Sequence, residues 1–288
     1  MTSHARPQPT KQLNAVGGYA FGDSALAARR LGLLAEVFEP TTRAFLTDAD
    51  GYLADARRPA GAQPAGRGPL ELAVDLGCGP GHTTRLLVSV LGPRRTLGLD
   101  QSASFVALAA EDPPPGASFA VHDVTVVPFP CRPAGLLFCR FLLGHLADPA
   151  AALAAWATQL APGGLLLVEE VERIRTDQPA LRGYLEVAAV LLASRGHALE
   201  IGPRLHRLAD PPGLARRLDR PAPLAPPAAR AAEMFAQNLA VWRDDAVRAG
   251  VATDPELDRL ADGLATVAAG EAEGTIAWKL RQLAFQRA

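Results

Sequence analysis

Hydrophobic residues in the middle of the chain form short continuous runs that alternate with helical patterns. The apolar runs predict strands over residues 70–76, 96–100, 118–121, 136–140 and 165–170. Helical spacing predicts helices over residues 82–91, 102–110 and 149–160, with Ser102 as a helix cap. Strands that are apolar on both faces indicate a parallel sheet covered by helices. Because crossover connections are right-handed, we expect a doubly wound, mostly parallel α/β fold.

The two ends of the chain carry helical patterns instead. Apolar residues recur at helical intervals between residues 23 and 46, and Pro40 within this run predicts two short helices. Proline and glycine predict a loop over residues 58–69. Beyond residue 175, helices are predicted over 180–194, 228–248 and 256–269, with a proline-rich separator at 221–227. Alternating apolar and polar residues over 274–287 predict a final strand.

The composition argues against several classes of protein. The 288 residues include 29 basic and 30 acidic side chains, and this balance does not suit a surface that wraps nucleic acid. Hydrophobic residues make up 49% of the chain, enough for a core, yet no uncharged apolar stretch reaches the ~18 residues of a membrane span. The polar N-terminus has no apolar signal segment, so we expect a cytoplasmic protein that binds neither nucleic acid nor membrane. Three cysteines without a C-x-x-C pair disfavour a disulfide scaffold and a thiolate zinc site.

A glycine-rich segment between the first strand and the next helix carries the clearest chemical signal. It has the sequence Asp75-Leu-Gly77-Cys-Gly79-Pro-Gly81-His82. A strand, a glycine loop and a helix in this order bring the backbone close to a ligand at the helix N-terminus. The dinucleotide fingerprint G-x-G-x-x-G would need glycine where His82 stands, and the chain has no G-x-x-x-x-G-K-[ST] phosphate loop. The pattern therefore disfavours both a dinucleotide and a nucleoside triphosphate.

This D-x-G-x-G-x-G loop resembles motif I of the class I S-adenosylmethionine-dependent methyltransferases, and four further stretches resemble that family in order. They are Gly98-Leu-Asp100, Val121-His-Asp123-Val124, residues 139–149 beginning Cys-Arg-Phe-Leu, and residues 160–170 beginning Leu-Ala-Pro-Gly-Gly. Together the five motifs cover about residues 70–172. The chain is similar to the bacterial small-molecule members of the family. The resemblance implies a Rossmann-like fold with a mostly parallel sheet, an antiparallel C-terminal strand, a helical N-terminal cap and C-terminal helical insertions.

The same resemblance implies three parts and a cofactor site. Residues 1–60 would form a helical lid, residues 70–175 the S-adenosylmethionine-binding core, and residues 176–288 the substrate-side helices and last strands. The implied binding residues are Tyr19, Asp75, Gly77, Cys78, Gly79, Asp100, Gln101, Asp123, Val124, Cys139 and Arg140. In this assignment Asp100 takes the ribose hydroxyls, Asp123 takes the adenine amino group, and Tyr19 closes over the cofactor carboxylate. Gln101 departs from the family, which usually has an apolar residue there.

Two side chains are candidates for a catalytic base. Methyl transfer is an in-line displacement at a sulfonium, and it needs a base only when the acceptor is protonated. Glu170 and His145 follow strands five and four, at the edge where doubly wound sheets hold substrates. The matching histidine of the family is often structural, which is the alternative for His145. Glu169 and Glu170 alternate along a strand, so at most one of them faces the site. We expect no metal, since no suitable carboxylate cluster is visible.

The identity of the methyl acceptor stays open at this level. The resemblance implies a small molecule of bacterial secondary metabolism, methylated on oxygen, nitrogen or carbon. Candidate lining residues on the C-terminal helices are Tyr184, Met234, Phe235, Asn238 and Trp242, although such a stripe more often belongs to a core. The absence of an N-P-P-Y loop disfavours a nucleic-acid methyltransferase. An enzyme that keeps the cofactor site but catalyses another reaction, such as a cyclisation, stays an alternative, and a homodimer stays open.

Overall fold

The computed structural model describes residues 25–56 and 69–288 of the chain. Within them the helices are α1 (Ala25–Ala56), α2 (His82–Leu91), α3 (Ala103–Glu111), α4 (Pro149–Ala157), α5 (Pro179–Ser194), α6 (Gly202–Arg207), α7 (Ala228–Arg248) and α8 (Asp254–Ala268). The strands are β1 (Ala73–Leu76), β2 (Thr96–Asp100), β3 (Ala117–Val121), β4 (Ala134–Arg140), β5 (Leu160–Thr176), β6 (Leu214–Leu224) and β7 (Ile276–Arg287). A short 3₁₀ turn, Leu143–His145, follows β4.

The strands of the described residues form one sheet in the order β3-β2-β1-β4-β5-β7-β6. Strand β1 pairs in parallel with β2 on one side and with β4 on the other, and β4 pairs in parallel with β5. Strand β7 runs antiparallel between β5 and β6. The predicted doubly wound, mostly parallel α/β fold with an antiparallel C-terminal strand is therefore confirmed. Because the strand order reverses between β1 and β4, a crevice lies at the carboxyl ends of these two strands.

The central strands are apolar on both faces because helices cover both sides of the sheet. On one face, Leu165 and Leu167 of β5 pack with Phe45 of α1. On the other face, Leu166 and Val168 pack in a second cluster that includes helix α4. Burying one such side chain contributes roughly 1.5–3 kcal/mol, so the two clusters hold the site-bearing strands rigidly.

The C-terminal helices form a third core that reaches back to α1. Tyr184 of α5 stacks on Phe235 of α7 with ring centroids 4.0 Å apart, and Trp242 lies beside them at 5.7 Å from Tyr184. Phe38 of α1 belongs to the same buried cluster and meets Trp278 of β7 edge to face. Helices α5 and α7 and the first half of α1 thus pack together with strand β7 in one core.

The prediction of two short helices around Pro40 was wrong, because α1 continues from Ala25 to Ala56 with Pro40 inside it. A proline in a helix interior costs about 3 kcal/mol. Phe38 before it and Phe45 and Leu46 after it are nearly or fully buried, at about 1.5–3 kcal/mol each, so packing on both sides outweighs that cost. The side chain of Thr41 also donates to the carbonyl of Phe38 at 2.9 Å.

Strand β6 and helix α6 were not predicted from the sequence. Pro221 and Pro223 lie inside β6, although the proline-rich stretch suggested a separator between helices. Strand β6 is at the edge of the sheet and pairs only with β7, and an edge strand tolerates residues that cannot donate a backbone hydrogen bond. Helix α4 ends at Ala157 rather than residue 160, because β5 begins at Leu160, before the proline–glycine turn that was expected to end the helix.

Among the helices that the structure describes, none combines the length and apolar character needed to cross a membrane. The division of the chain into lid, core and substrate-side parts stays a prediction.

Candidate functional site

The glycine loop lies at the crevice between β1 and β4, where a doubly wound sheet binds its ligand. Gly77 and Gly79 have φ angles of +69° and +52°, a left-handed conformation that disfavours any side chain. A Cβ at Gly77 would lie 3.1 Å from a methyl group of Leu142, and a Cβ at Gly79 would lie 3.5 Å from Leu31. The loop after β4 and the first half of α1 thus approach the glycine loop from two sides and form a cradle of backbone.

Asp75, the first residue of the motif, is buried and holds the glycine loop and the following helix together. The hydroxyls of Thr83 and Thr84 both donate to its Oδ2 at 2.6 Å, which ties the end of β1 to the first turn of α2. Burial raises the pKa of this carboxyl to about 6, and the two hydroxyls oppose the rise. Asp75 therefore holds the helix N-terminus in place.

Asp100 ends β2 and joins two backbone segments at the site. Its Oδ2 accepts a hydrogen bond from the backbone N–H of Gly79 at 2.8 Å, and its Oδ1 accepts one from Ser102 at 2.8 Å. Each carboxylate oxygen has two lone pairs, so one backbone N–H does not use all the acceptor positions of the oxygen that it meets. A vicinal diol is the group that such a fixed pair of acceptors suits. Gln101 is exposed next to it.

Asp123 and Val124 follow β3 at the same edge of the sheet. Asp123 is exposed, and its Oδ1 accepts hydrogen bonds from the N–H and hydroxyl of Thr125 at 2.9 and 2.7 Å. Val124 is buried, and its carbonyl accepts a bond from the indole N–H of Trp156 at 2.8 Å. This segment is a rigid turn, and adenine recognition by it stays a prediction.

The three cysteines have no nucleophilic role in this arrangement. Cys78 and Cys139 are buried, and burial raises the pKa of both thiols. Burial also raises the pKa of the Cys131 thiol. All three are free thiols, so near neutral pH they stay protonated and act as small packing groups.

A buried polar ladder that the sequence analysis missed connects α1 to the sheet. Arg140, Glu169 and Gln282 stand opposite one another on β4, β5 and β7. Arg140 donates to the hydroxyl of Thr42 at 3.0 Å, and Thr42 donates to Glu169 at 2.5 Å. The amide of Gln282 donates to the other oxygen of Glu169 at 2.7 Å. Burial raises the pKa of Glu169, while Arg140, Thr42 and Gln282 lower it. The ladder pins α1 beside the cofactor crevice.

Glu170 faces away from this ladder, as the strand alternation predicts. It is 2% exposed, and its Oε1 accepts hydrogen bonds from the backbone N–H groups of Leu142 and Leu143, each at 2.7 Å. Burial raises the pKa of Glu170 to about 8, and the two N–H groups oppose the rise. The carboxyl therefore organises the turn after β4 from inside the protein.

His145 belongs to a second polar group at the same edge. Its ring meets that of His197 edge to face, with centroids 5.4 Å apart. Burial, His197 and the charge of Arg30 lower the pKa of His145 to about 3, so the imidazole is neutral at ordinary pH. Arg30 of α1 donates to the amide oxygen of Asn238 on α7 at 2.9 Å. Arg30 and His197 carried no recognisable pattern in the sequence, because their neighbours are distant along the chain.

Two further expectations from the sequence concern Tyr19 and a metal site. Tyr19 lies outside the described residues. Within residues 25–56 and 69–288, no three histidine, cysteine, aspartate or glutamate side chains converge as a metal site would require.

Part of the chain, including the glycine loop, is similar to a known protein domain. Residues 74–168 match the protein-family model described as "Methyltransferase domain". A trans-aconitate 2-methyltransferase of Methylobacterium nodulans is 38% identical over 146 residues, which cover 49% of this chain and 55% of that protein. One from Methylobacterium radiotolerans is 32% identical over 160 residues, covering 54% of this chain and 60% of that protein. The chain thus spans between half and two thirds of the length of these curated relatives.

Solved structures share the fold. A protein of Anaeromyxobacter dehalogenans, proposed to be a type II methyltransferase, superimposes with a TM-score of 0.53 at 17% identity, covering 84% of this chain and 94% of that one. A proposed methyltransferase of Bacillus halodurans gives a TM-score of 0.50 at 15% identity, covering 81% of this chain and 97% of that one.

The residues of the crevice fit S-adenosylmethionine, the cofactor that the family uses. Gly77 and Gly79 give the loop a left-handed backbone without side chains, and the Asp100 carboxylate, which accepts a hydrogen bond from Gly79, suits the ribose diol. Residues 74–168 are thus similar to the methyltransferase domain of the class I S-adenosylmethionine-dependent methyltransferases.

Proposed function

We propose that the protein transfers the methyl group of S-adenosylmethionine to a small carboxylic acid. The proposal rests on one observation. The Asp100 carboxylate accepts a hydrogen bond from the backbone N–H of Gly79, so a group that can bind a diol is fixed beside the glycine cradle, where the strand order reverses. Two further facts support a carboxylic acid as the acceptor: the names of the curated relatives, and the backbone hydrogen bonds that hold the Glu170 carboxyl inside the protein.

The residues of this chain act by binding and alignment. The cofactor, when bound, supplies a methyl group already activated on a sulfonium. Gly77, Gly79 and Asp100 would hold its methionine and ribose parts, Asp123 and Val124 its adenine, and the backbone at residues 139–140 its ammonium group. Holding both reactants in line lowers the activation barrier through proximity and orientation, the main contribution of the protein to such a displacement.

A carboxylic acid acceptor needs no base. Its oxygen is ionised near neutral pH, because an ordinary carboxyl pKa is about 4. Burial lowers the pKa of His145 to about 3, so its ring is a weak base, and Glu170 lies inside the protein with two backbone N–H partners on one oxygen. These contacts favour a positioning role for Glu170, which shapes residues 142–143 beside the cradle. We therefore propose that catalysis rests on alignment, and that the two candidate bases of the sequence analysis do not move a proton.

The curated relatives give the acceptor its first test compounds. Those proteins are named for the methylation of trans-aconitate, an unsaturated tricarboxylic acid. A place in bacterial secondary metabolism, a cytoplasmic location and a homodimer stay predictions.

Incubation with S-adenosylmethionine labelled in the methyl group tests the proposal. The acceptor panel contains trans-aconitate, succinate, a phenol and a primary amine, and the product is analysed by mass. A gain of one methyl group as an ester, hydrolysed by mild alkali, is expected. Alkali-stable transfer to the phenol or amine alone would contradict the acceptor class. Conversion of a substrate without gain of a methyl group would favour the alternative, a cofactor-dependent reaction such as a cyclisation.

A further inference from the structure

We propose that Phe119 of β3 is a positioning residue for cofactor binding, because its ring supports the end of the glycine loop. The ring packs on Gly98 of β2 and reaches Gly81, where the loop joins α2. The proposal rests on the cofactor site of the proposed function and is independent of the identity of the acceptor.

The place of the ring explains why β2 contains a glycine. Gly98 and Phe119 are direct partners in the parallel pairing of β2 and β3. A Cβ at Gly98 would lie 2.5 Å from Cδ1 of Phe119 and 2.9 Å from Sγ of Cys78, well inside the ~3.5–4.0 Å of a normal carbon contact. Gly98 does not have the positive φ angle of the loop glycines, so its backbone would accept a side chain. Glycine is therefore needed here for space, which the Phe119 ring and the Cys78 thiol fill.

The same ring contacts the far end of the glycine loop. A Cβ at Gly81 would lie 3.0 Å from Cζ of Phe119 and 3.0 Å from a guanidinium nitrogen of Arg85. Arg85 in turn donates to the carbonyl of Pro80 at 3.2 Å, and the N–H of Gly81 donates to the carbonyl of Cys78 at 3.0 Å. Gly81 thus lies between an aromatic ring and a guanidinium. These contacts fix the turn that leads from the loop into α2.

The ring lies next to the segments that would hold the cofactor. Asp100 is two residues beyond Gly98 and therefore shares its face of the sheet, and it accepts the hydrogen bond from Gly79 at 2.8 Å. Asp123 follows the end of β3, the strand that carries Phe119. A binding group has to be held within about 0.5 Å of its productive position. A shift of the ring would move the loop relative to Asp100 and so lower the affinity for the cofactor.

Phe119 also lies apart from the main cores of the molecule. Its side chain is half-buried and belongs to none of the three hydrophobic core clusters formed by the described residues. Truncating the ring should therefore weaken cofactor binding at a moderate cost in the free energy of unfolding. The two effects can be measured separately.

A double-mutant cycle on the full chain tests the proposal. Gly98→Ala, Phe119→Ala and the double variant are titrated calorimetrically with S-adenosylhomocysteine, and their free energies of unfolding are measured in urea. Gly135→Ala is the matched control. Gly135 is a strand glycine of β4 whose Cβ would lie 2.9 Å from a methyl group of Leu70, at the end of the sheet opposite the loop.

We expect coupled losses of affinity. Gly98→Ala should weaken S-adenosylhomocysteine by at least about 30-fold and Phe119→Ala by about tenfold, because each moves the loop from its bound position. In the double variant the vacated space can take the new methyl group, so the affinity should stay within about threefold of Phe119→Ala instead of falling by the product of the two losses. Gly135→Ala should lower the free energy of unfolding and leave the affinity within about threefold of the wild type. If Gly98→Ala does not fold, Phe119→Ala and the double variant carry the test.

Two results would overturn the inference and leave the cofactor site standing. One is an affinity of Phe119→Ala equal to that of the wild type, and the other is losses that multiply in the double variant. A loss of affinity in Gly135→Ala as large as in Gly98→Ala would also overturn it, since the effect would then follow from general destabilisation. Absence of S-adenosylhomocysteine binding to the wild-type protein would overturn the proposed cofactor site and the role of Phe119 together.

Discussion

Replacing Glu170 with glutamine separates a positioning carboxyl from a catalytic base. The substitution keeps the length and shape of the side chain, and the amide oxygen can still accept the N–H groups of Leu142 and Leu143, now 2.7 Å from Oε1. A charge-assisted hydrogen bond exceeds a neutral one by about 1 kcal/mol, so two bonds set an upper limit of about 2 kcal/mol on the loss of stability. Because burial raises the pKa of this carboxyl to about 8, it is largely neutral near pH 7, and the loss should be smaller.

Turnover and its pH dependence are the assay. For a positioning role, Glu170→Gln should retain kcat within about tenfold, and the pH profile of kcat should show no step near pH 8. Glu170→Ala should be worse, because two buried N–H groups lose their acceptor at a cost of about 1–3 kcal/mol each. The alanine variant should therefore lose stability by several kcal/mol in urea unfolding and misplace residues 142–143.

A base would behave in the opposite way. Its removal costs about 10²–10⁴-fold in rate, and kcat would rise with pH up to the pKa of the group. A drop of more than a hundredfold in kcat for Glu170→Gln, with the step near pH 8 abolished and cofactor affinity intact, would refute the positioning account.

Three further substitutions test other parts of the site. Asp100→Ala should weaken S-adenosylhomocysteine at least tenfold by calorimetry, since two charge-assisted bonds of ~1.5–3 kcal/mol to the ribose are lost, and unchanged affinity would mean that the ribose lies elsewhere. Thr42→Val should lower the free energy of unfolding in urea by about 1–3 kcal/mol, because it removes a hydrogen bond to an oxygen of buried Glu169. Thr41→Val changes a side chain outside the ladder and should cost less. Equal losses for the two variants would contradict a stabilising role of the ladder. The pKa of His145 is about 3 in the folded protein and ~6.5 in the unfolded chain. Below pH ~6.5 the imidazole is therefore protonated in the unfolded chain but not in the folded protein, and the free energy of unfolding should decline from pH 7 to pH 4. His145→Gln should flatten that decline by a few kcal/mol, and an identical pH dependence of unfolding would show that the histidine is solvated.

The part of the site that was predictable from the sequence is the part built from local segments. The glycine loop and Asp100 each follow a strand end, so their position at the crevice depends only on the order of strands and helices. Their contact, from Gly79 to Asp100, joins neighbouring strands and is a consequence of that order.

The part that could not be predicted depends on pairs that are distant along the chain. The Thr42–Glu169 bond joins positions 127 apart, and the Arg30–Asn238 bond joins positions 208 apart. A single sequence carries no signal for such pairs. The continuity of α1 through Pro40 was missed for a similar reason: tertiary packing outweighed a local rule. Glu170 was recognised as important, but its partners are backbone N–H groups, which no side-chain pattern reveals.

The central claim is that the crevice binds S-adenosylmethionine rather than a dinucleotide, and one calorimetric titration tests it most directly. The full chain is titrated with S-adenosylhomocysteine and, in a separate run, with NAD. We predict saturable binding of S-adenosylhomocysteine at one site per chain and no heat of binding with NAD, because His82 stands where a dinucleotide loop needs glycine. Binding of NAD with no response to S-adenosylhomocysteine would contradict the account.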